Sequence, residues 1–238
     1  MNSVRDHYDT HLAPIYLWMA GGIEHALSLG SSDVAAFLEQ PGVAVDLGAG
    51  FGMHSIPLAR AGFDVLAVDT SALLLAELRR HAAGLALTTI EAELLEFATH
   101  LHQPADLILC MGDTLPHLHS TQQVERLMQD VAKSLRPGGQ FVATFRDYRE
   151  LPFADRRFIP VRSDPDRILT CFLEATPTRV LVHDIIHERV PQGWSMKVSS
   201  YAKLRLSPDA VIQAARDAGM RCRAEPGPRG MLKVVAET

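Results

Sequence analysis

Residues 43–71 read VAVDLGAGFGMHSIPLARAGFDVLAVDTS, and the fold of the chain is read outward from them. Val43–Leu47 is a short apolar run between turn residues, the pattern of a strand buried on both faces, with Asp46 near its carboxyl end. Gly48, Gly50 and Gly52 recur at every second position, so the backbone can turn sharply and approach a ligand before a helix expected over 53–61. Pro57 is tolerated near the first turn of that helix, where a missing N–H costs little. Gly62 ends it, and residues 64–68 form a second buried strand that delivers Asp69 beside the glycine turn. Strand, glycine turn, helix, strand and acid together make a nucleoside-binding half.

Dinucleotide enzymes also carry an acid about 20 residues beyond their glycines, so the nucleoside is decided by Asp46. An anionic pyrophosphate at the turn would be repelled by that carboxylate, whereas a ligand bearing an ammonium and a sulfonium would be attracted. The D-x-G-x-G-x-G spacing resembles the cofactor motif of the S-adenosylmethionine-dependent methyltransferases with a Rossmann-like fold. The resemblance implies an α/β fold: a seven-stranded, mainly parallel sheet with a C-terminal antiparallel hairpin. It also implies that Asp46, Gly48, Ala49 and Gly50 hold the methionine part of S-adenosyl-L-methionine, and that Asp69, with Thr70 beside it, takes the ribose hydroxyls. S-adenosyl-L-homocysteine would be the product.

The similarity stays in register downstream to about residue 146. A third strand is expected over 85–90, and beyond it Glu93, with Leu94, stands where the family places an acid for the adenine amino group; a helix-start carboxylate is the competing explanation. A fourth strand over 106–110 releases loop 111–117, which should line the reacting centre outside the strand ends. Met111 is placed there on the cofactor side, and Asp113 and His117 are the available general bases. A helix over 121–135 is followed by Arg136-Pro137-Gly138-Gly139, a step frequent in the same family, and by a fifth strand over 140–145. That strand ends on Arg146-Asp147-Tyr148, facing the site. Some glycine-type N-methyltransferases carry an Arg close to this point, so Arg146 is expected to hold an acceptor carboxylate, with Tyr148 beside it.

Residues 1–42 read as helical segments, with Gly21, Gly22 and Gly30 as joints, and by resemblance form a lid whose Tyr8, Tyr16 and Trp18 face the cofactor. Residues 43–147 are the cofactor-binding core. Over 148–206 the pattern changes to an antiparallel β insertion, with strands at 167–174, 179–189 and from Trp194. In the last of these Met196, Val198, Ala202, Leu204 and Leu206 alternate with Lys197, Ser199, Tyr201, Lys203 and Arg205, which reads as an apolar buried face and a polar outer one. The insertion would either wall the acceptor pocket or form a homodimer interface. Residues 207–238 supply a last helix, begun at Ser207-Pro208, and the closing hairpin.

The 238 residues suit one domain with an insertion. A formal charge of −5 without a basic run argues against nucleic acid as partner. Cys110, Cys171 and Cys222 are an odd, scattered set, as expected of buried thiols in the cytoplasm. The apolar stretch 12–29 is broken by Glu24 and His25, so neither a membrane span nor a signal peptide is expected. The histidine pairs 100/102 and 117/119 lack Cys or carboxylate clusters at ligand spacing, and Asp113 and Asp147 alone do not make a magnesium site, so no metal is expected. These readings converge on a methyltransferase acting on a small-molecule N- or O-nucleophile. An NAD(P)-dependent oxidoreductase and a non-catalytic S-adenosylmethionine-binding protein remain the alternatives.

Overall fold

The computed structural model describes residues 4–149 and 154–238. The chain begins with α1 (Val4–His7), a π-type turn over Tyr8–Leu12, a 3-10 turn over Ala13–Ile15 and α2 (Tyr16–Met19). After Gly21 and Gly22, both at positive φ, comes α3 (Ile23–Val34). Gly30 is not the joint expected from sequence, because it lies inside α3. A Cβ there would stand 1.8 Å from the carbonyl oxygen of Met53, so the residue is small to let the helix press on that loop.

The core then alternates strand and helix: β1 (Val43–Leu47), α4 (Ser55–Arg60), β2 (Asp64–Asp69), α5 (Ala72–His81), β3 (Leu87–Glu91), β4 (Ala105–Cys110), α6 (Thr121–Ser134) and β5 (Leu135–Phe145). The chain next builds β6 (Phe158–Ser163), β7 (Arg167–Ala175), β8 (Arg179–Val190) and β9 (Gly193–Leu204). It returns through α7 (Pro208–Asp217) to β10 (Arg221–Pro226) and β11 (Leu232–Glu237). The main sheet has seven strands in the order β10-β11-β5-β4-β1-β2-β3. β3, β2, β1, β4 and β5 run parallel, and β11 pairs antiparallel with both β5 and β10. β1 lies between β2 and β4, so the chain switches direction of travel across the sheet there, and the crevice outside those strand ends is the natural ligand site.

Both faces of the sheet are covered. Val45, Leu47, Ile108, Phe141 and Phe145 pack against α6 and α7, and Ala44, Val65, Leu107 and Val142 pack against Leu58 and Phe63. The helices carry local start signals: Ser71, Ser120 and Ser207 cap α5, α6 and α7 by accepting a backbone N–H. β5 begins earlier than expected, since Leu135 already pairs with Ala105 before a register shift carries the Pro-Gly-Gly step.

The insertion is a separate antiparallel sheet, β6-β7-β8-β9. Its first strand was not anticipated from sequence, because Pro160 and flanking arginines hide it. As an edge strand with a register shift near Val161 it tolerates the missing donor. The expected faces of β9 are reversed over its inner part. Ser199, Tyr201 and Lys203 are buried, while Met196 and Val198 are 62% and 53% exposed. The cause is the N-terminal segment, which packs polar side chains against this face.

Candidate active site

The glycine turn is tied down from three directions. Gly48 and Ala49 donate their N–H groups to the Val68 carbonyl at 2.8 and 3.0 Å, and Gly50 donates to Asp69 Oδ2 at 2.8 Å. Gly48 has φ +75°, and a Cβ there would meet the Thr114 methyl at 2.4 Å, so the close approach of loop 111–117 requires glycine. The second Asp69 oxygen accepts from Ser71 N at 2.8 Å. Asp69 is therefore held with its carboxylate at the cavity edge, at the junction of the turn and α5.

A cavity of about 520 Å³ opens from this turn. At one end it is lined by Gly48, Ala49, Gly50, Phe51, Asp69, Thr70, Glu93, Leu94 and Met111, and at the other by Tyr8, Thr114, His117, Leu118 and Gln123. The N-terminal segment forms its roof with Val4, Arg5, Tyr8 and Tyr16. Roof anchors reach across the fold: Arg5 pairs with Glu91, Ser71 Oγ donates to Asp9 at 2.5 Å, and buried His7 bridges Asp184 at 2.9 Å and Ser199 at 2.8 Å.

Of the residues expected on the cofactor side, Tyr16, Gly48, Ala49, Gly50, Asp69, Thr70, Glu93, Leu94 and Met111 line the cavity. Glu93 also caps the turn Leu94–His100 in a reciprocal pair with Glu96, which is the helix-start role weighed against the adenine contact. Two cofactor-side expectations need correction. Asp46 is 1% exposed beneath the turn, where it accepts from Ser55 Oγ at 2.5 Å, and it does not line the cavity. Trp18 faces the insertion instead: its indole N–H meets Asp164 at 2.5 Å and its ring lies under Arg162 and Arg167.

The acceptor-side expectations change more. Asp113, at φ +70° and 6% exposed, is taken up by structural contacts and does not line the cavity. Its carboxylate accepts from Lys203 Nζ at 2.6 Å, from the Tyr148 hydroxyl at 2.9 Å and from the Arg146 backbone at 2.8 Å. Tyr148 is thereby a buried strut packed with Leu173, Val182 and Tyr201, outside the cavity. The Arg146 side chain is exposed and does not reach the cavity, and no hydrogen bond or ion pair among the described residues engages its guanidinium. Strand β5 stays buried through Phe145, but the chain then turns away over the insertion. No described residue of 148–206 lines the cavity, so the insertion does not wall it; it braces the wall from behind.

That brace bears on His117, which does line the cavity. Its ring stacks on Tyr201 (5.4 Å between centroids, 24° between planes), and Nε2 lies 3.4 Å from the Tyr8 hydroxyl. Nδ1 is buried without a partner. Burial, then the Lys203 ammonium and His7, hold its pKa well below the usual imidazole value, so the ring is neutral. Burial raises Asp46 and Asp69 above the ordinary carboxylate range, against the hydrogen bonds each accepts. Burial, reinforced by Asp69 and Asp184, lifts Tyr16 to about 12. Among the described residues neither Asp46, beneath the turn, nor Asp69, at the cavity edge, has a Lys or Arg partner.

Sequence reading missed Phe51, His7, Tyr201 and Lys203. Phe51 stands inside the glycine turn and could have been found there. The other three have no local signal, because their partners lie far away in the chain.

Residues 44–139 match the family described as "Methyltransferase domain". The glycine/sarcosine N-methyltransferase of Halorhodospira halochloris is 29% identical over 106 residues, 44% of this chain and 40% of that protein. This chain thus matches about two fifths of such a relative's length. Among solved structures, the CcbJ methyltransferase of Streptomyces caelestis superposes with a TM-score of 0.78 at 19% identity, covering 99% of this chain and 98% of that one. CalS10 of Micromonospora echinaspora, an amino pentose methyltransferase with S-adenosylmethionine bound, gives 0.74 at 17% identity, with 94% and 95% covered. Residues 44–139 thus resemble a methyltransferase domain, and the chain as a whole shares the fold of these solved methyltransferases.

Proposed function

We propose that the protein transfers a methyl group from S-adenosyl-L-methionine to a small-molecule acceptor. The observation that carries this is the continuous cavity running from the glycine turn and Asp69 to Tyr8 and His117, with room for a nucleoside and a second, smaller ligand. Asp69 at the cavity edge has no Lys or Arg partner among the described residues, which favours a ligand that brings an ammonium and a sulfonium. Asp69 would accept from the ribose hydroxyls, Glu93 and Leu94 would border the base, and Ala49 to Phe51 would border the methionine part.

When bound, the sulfonium supplies an electrophilic methyl group, and transfer is an in-line displacement. The work of the chain is then alignment and exclusion of water. The roof residues Tyr8 and Tyr16 would border the reacting centre, and contacts to Glu91, Ser71 and Asp184 hold that roof in place. Likeness to the glycine/sarcosine enzyme over 106 residues supports the reaction class. Titration calorimetry with S-adenosylhomocysteine and with NADH tests the cofactor. Binding of the first alone is expected; binding of NADH alone would replace this reading with an oxidoreductase. A panel of amines and alcohols then tests turnover.

A further inference from the structure

The geometry points to an amine nitrogen as the nucleophile of the acceptor, with Tyr8, Tyr16, Phe51 and His117 as an aromatic wall that receives the positive charge as it passes from sulfur to nitrogen. This rests on the methyl-transfer reading above and adds which element is methylated and what holds it.

Three observations carry it. The four rings line one cavity in an unbroken row, with centroids 5.7 Å apart for Phe51 and Tyr16, 6.0 Å for Tyr16 and Tyr8, and 5.7 Å for Tyr8 and His117. A cation within about 6 Å of such ring centroids is attracted by their faces. The charges of the lining favour the same sign. Arg5, the one Lys or Arg among the described lining residues, is already paired with Glu91, so a phenolate or carboxylate would find no free cation there.

The third observation concerns protons. A hydroxyl acceptor needs a base as it reacts. His117 is poorly built for that role: a protonated ring would place an N–H at Nδ1, where there is no acceptor, with Lys203 behind it. His54 is committed to Asp33 at 3.1 Å, and His119 lies on the exposed rim. A neutral amine needs no base in the transfer step. Its lone pair forms the N–C bond while the C–S electron pair stays on sulfur, giving a thioether and an N-methylammonium. One positive charge is conserved and moves along the aromatic row, and the ammonium loses its proton to water after release. Interactions that follow the charge in this way lower the barrier rather than only the ground state.

The test uses the full chain with its cofactor subsite saturated by S-adenosylhomocysteine. Choline and its neutral carbon isostere, dimethylbutanol, are titrated as probes. Choline is expected to bind about tenfold more tightly, a ratio within the range of a cation over several rings. Tyr8→Phe should keep that ratio, and Tyr8→Leu or Phe51→Leu should reduce it. In turnover, amines should be methylated and alcohols on the same carbon frame should not. Equal affinity for the two probes, no binding of choline, or turnover of the alcohols overturns the inference even if the leucine variants fail to fold. Failure of S-adenosylhomocysteine to bind at the outset refutes the cofactor reading instead.

Discussion

Replacing Asp69 by asparagine exchanges one carboxylate oxygen for an amide NH2, and the structure shows where that change is felt. Both oxygens are acceptors, one for Gly50 N and one for Ser71 N, each at 2.8 Å. Asparagine has a single oxygen, so one of the two backbone N–H groups must face another donor. Either the glycine turn is released from the end of β2 or the entry to α5 is loosened, and the proposed ribose contact would lose its charge. A hydrogen bond to a charged group contributes about 1.5–3 kcal/mol. The affinity for S-adenosylhomocysteine should therefore fall by about 10- to 150-fold. Calorimetry reads this directly, and the rise in thermal midpoint on adding ligand should shrink in step, because a ligand that binds only the native state stabilises it by mass action. The unliganded midpoint should not fall in proportion, since burial disfavours the ionised carboxylate in the folded protein. Unchanged affinity in Asp69→Asn, with an unchanged midpoint shift, would refute the assignment of this residue to the cofactor.

Asp46→Asn should raise the midpoint of the unliganded protein near pH 7. A folded-state pKa above the unfolded one means that ionisation costs native stability, so the gain should shrink as pH falls through the raised pKa; a gain that grows on acidification would contradict this. Lys203→Met strands a buried, hydrogen-bonded Asp113 and should destabilise the fold by about 3–5 kcal/mol in urea unfolding. Adding Asp113→Asn should recover much of that, and a double variant as unstable as the single one would show the loss to be packing. His117 has the opposite sign to Asp46. With its folded pKa depressed, its stabilising effect is present above about pH 6.5 and is lost as pH falls through the unfolded imidazole value. Urea midpoints measured across that range should drop more steeply for the wild type than for His117→Phe, and identical slopes would remove His117 from the balance.

The main sheet was legible because its information is local. Each parallel strand is a short apolar run bounded by Gly, Pro or a capping Ser, and helix periodicity in α5, α6 and α7 fills the connections. Glycine spacing marked the turn, and the turn, Asp69, Glu93 and Met111 do line one cavity. Gly30 shows how the same signal misleads. A glycine within an apolar stretch reads as a joint, yet here it is a contact surface for the Met53 carbonyl, and a contact between distant segments leaves no mark on its own neighbours.

The acceptor end was not legible for that reason. Tyr8 meets His117 across 109 residues, His7 meets Ser199 across 192, and Lys203 meets Asp113 across 90. Alternation in β9 was visible, but period alone does not say which face is covered. The usual rule, apolar inward, failed because the covering element is the polar, histidine-bearing N-terminal segment rather than a helix of the core. Arg146 failed for a related reason. Its position at a strand end was right, but the direction of its side chain depends on how the insertion departs, which residues 145–148 do not encode. The two ends of the cavity thus draw on separate parts of the chain. The cofactor end comes from compact stretches near 48–54, 69–70 and 93–95, and the far end from 4–16 and 114–123, backed by 199–203. Substitutions at Tyr8, Leu118 or Gln123 should accordingly change which acceptor is used while leaving S-adenosylhomocysteine affinity within about twofold, as expected for sites with few shared partners. Parallel loss of cofactor affinity in all three would show that the cavity is one ligand site rather than two.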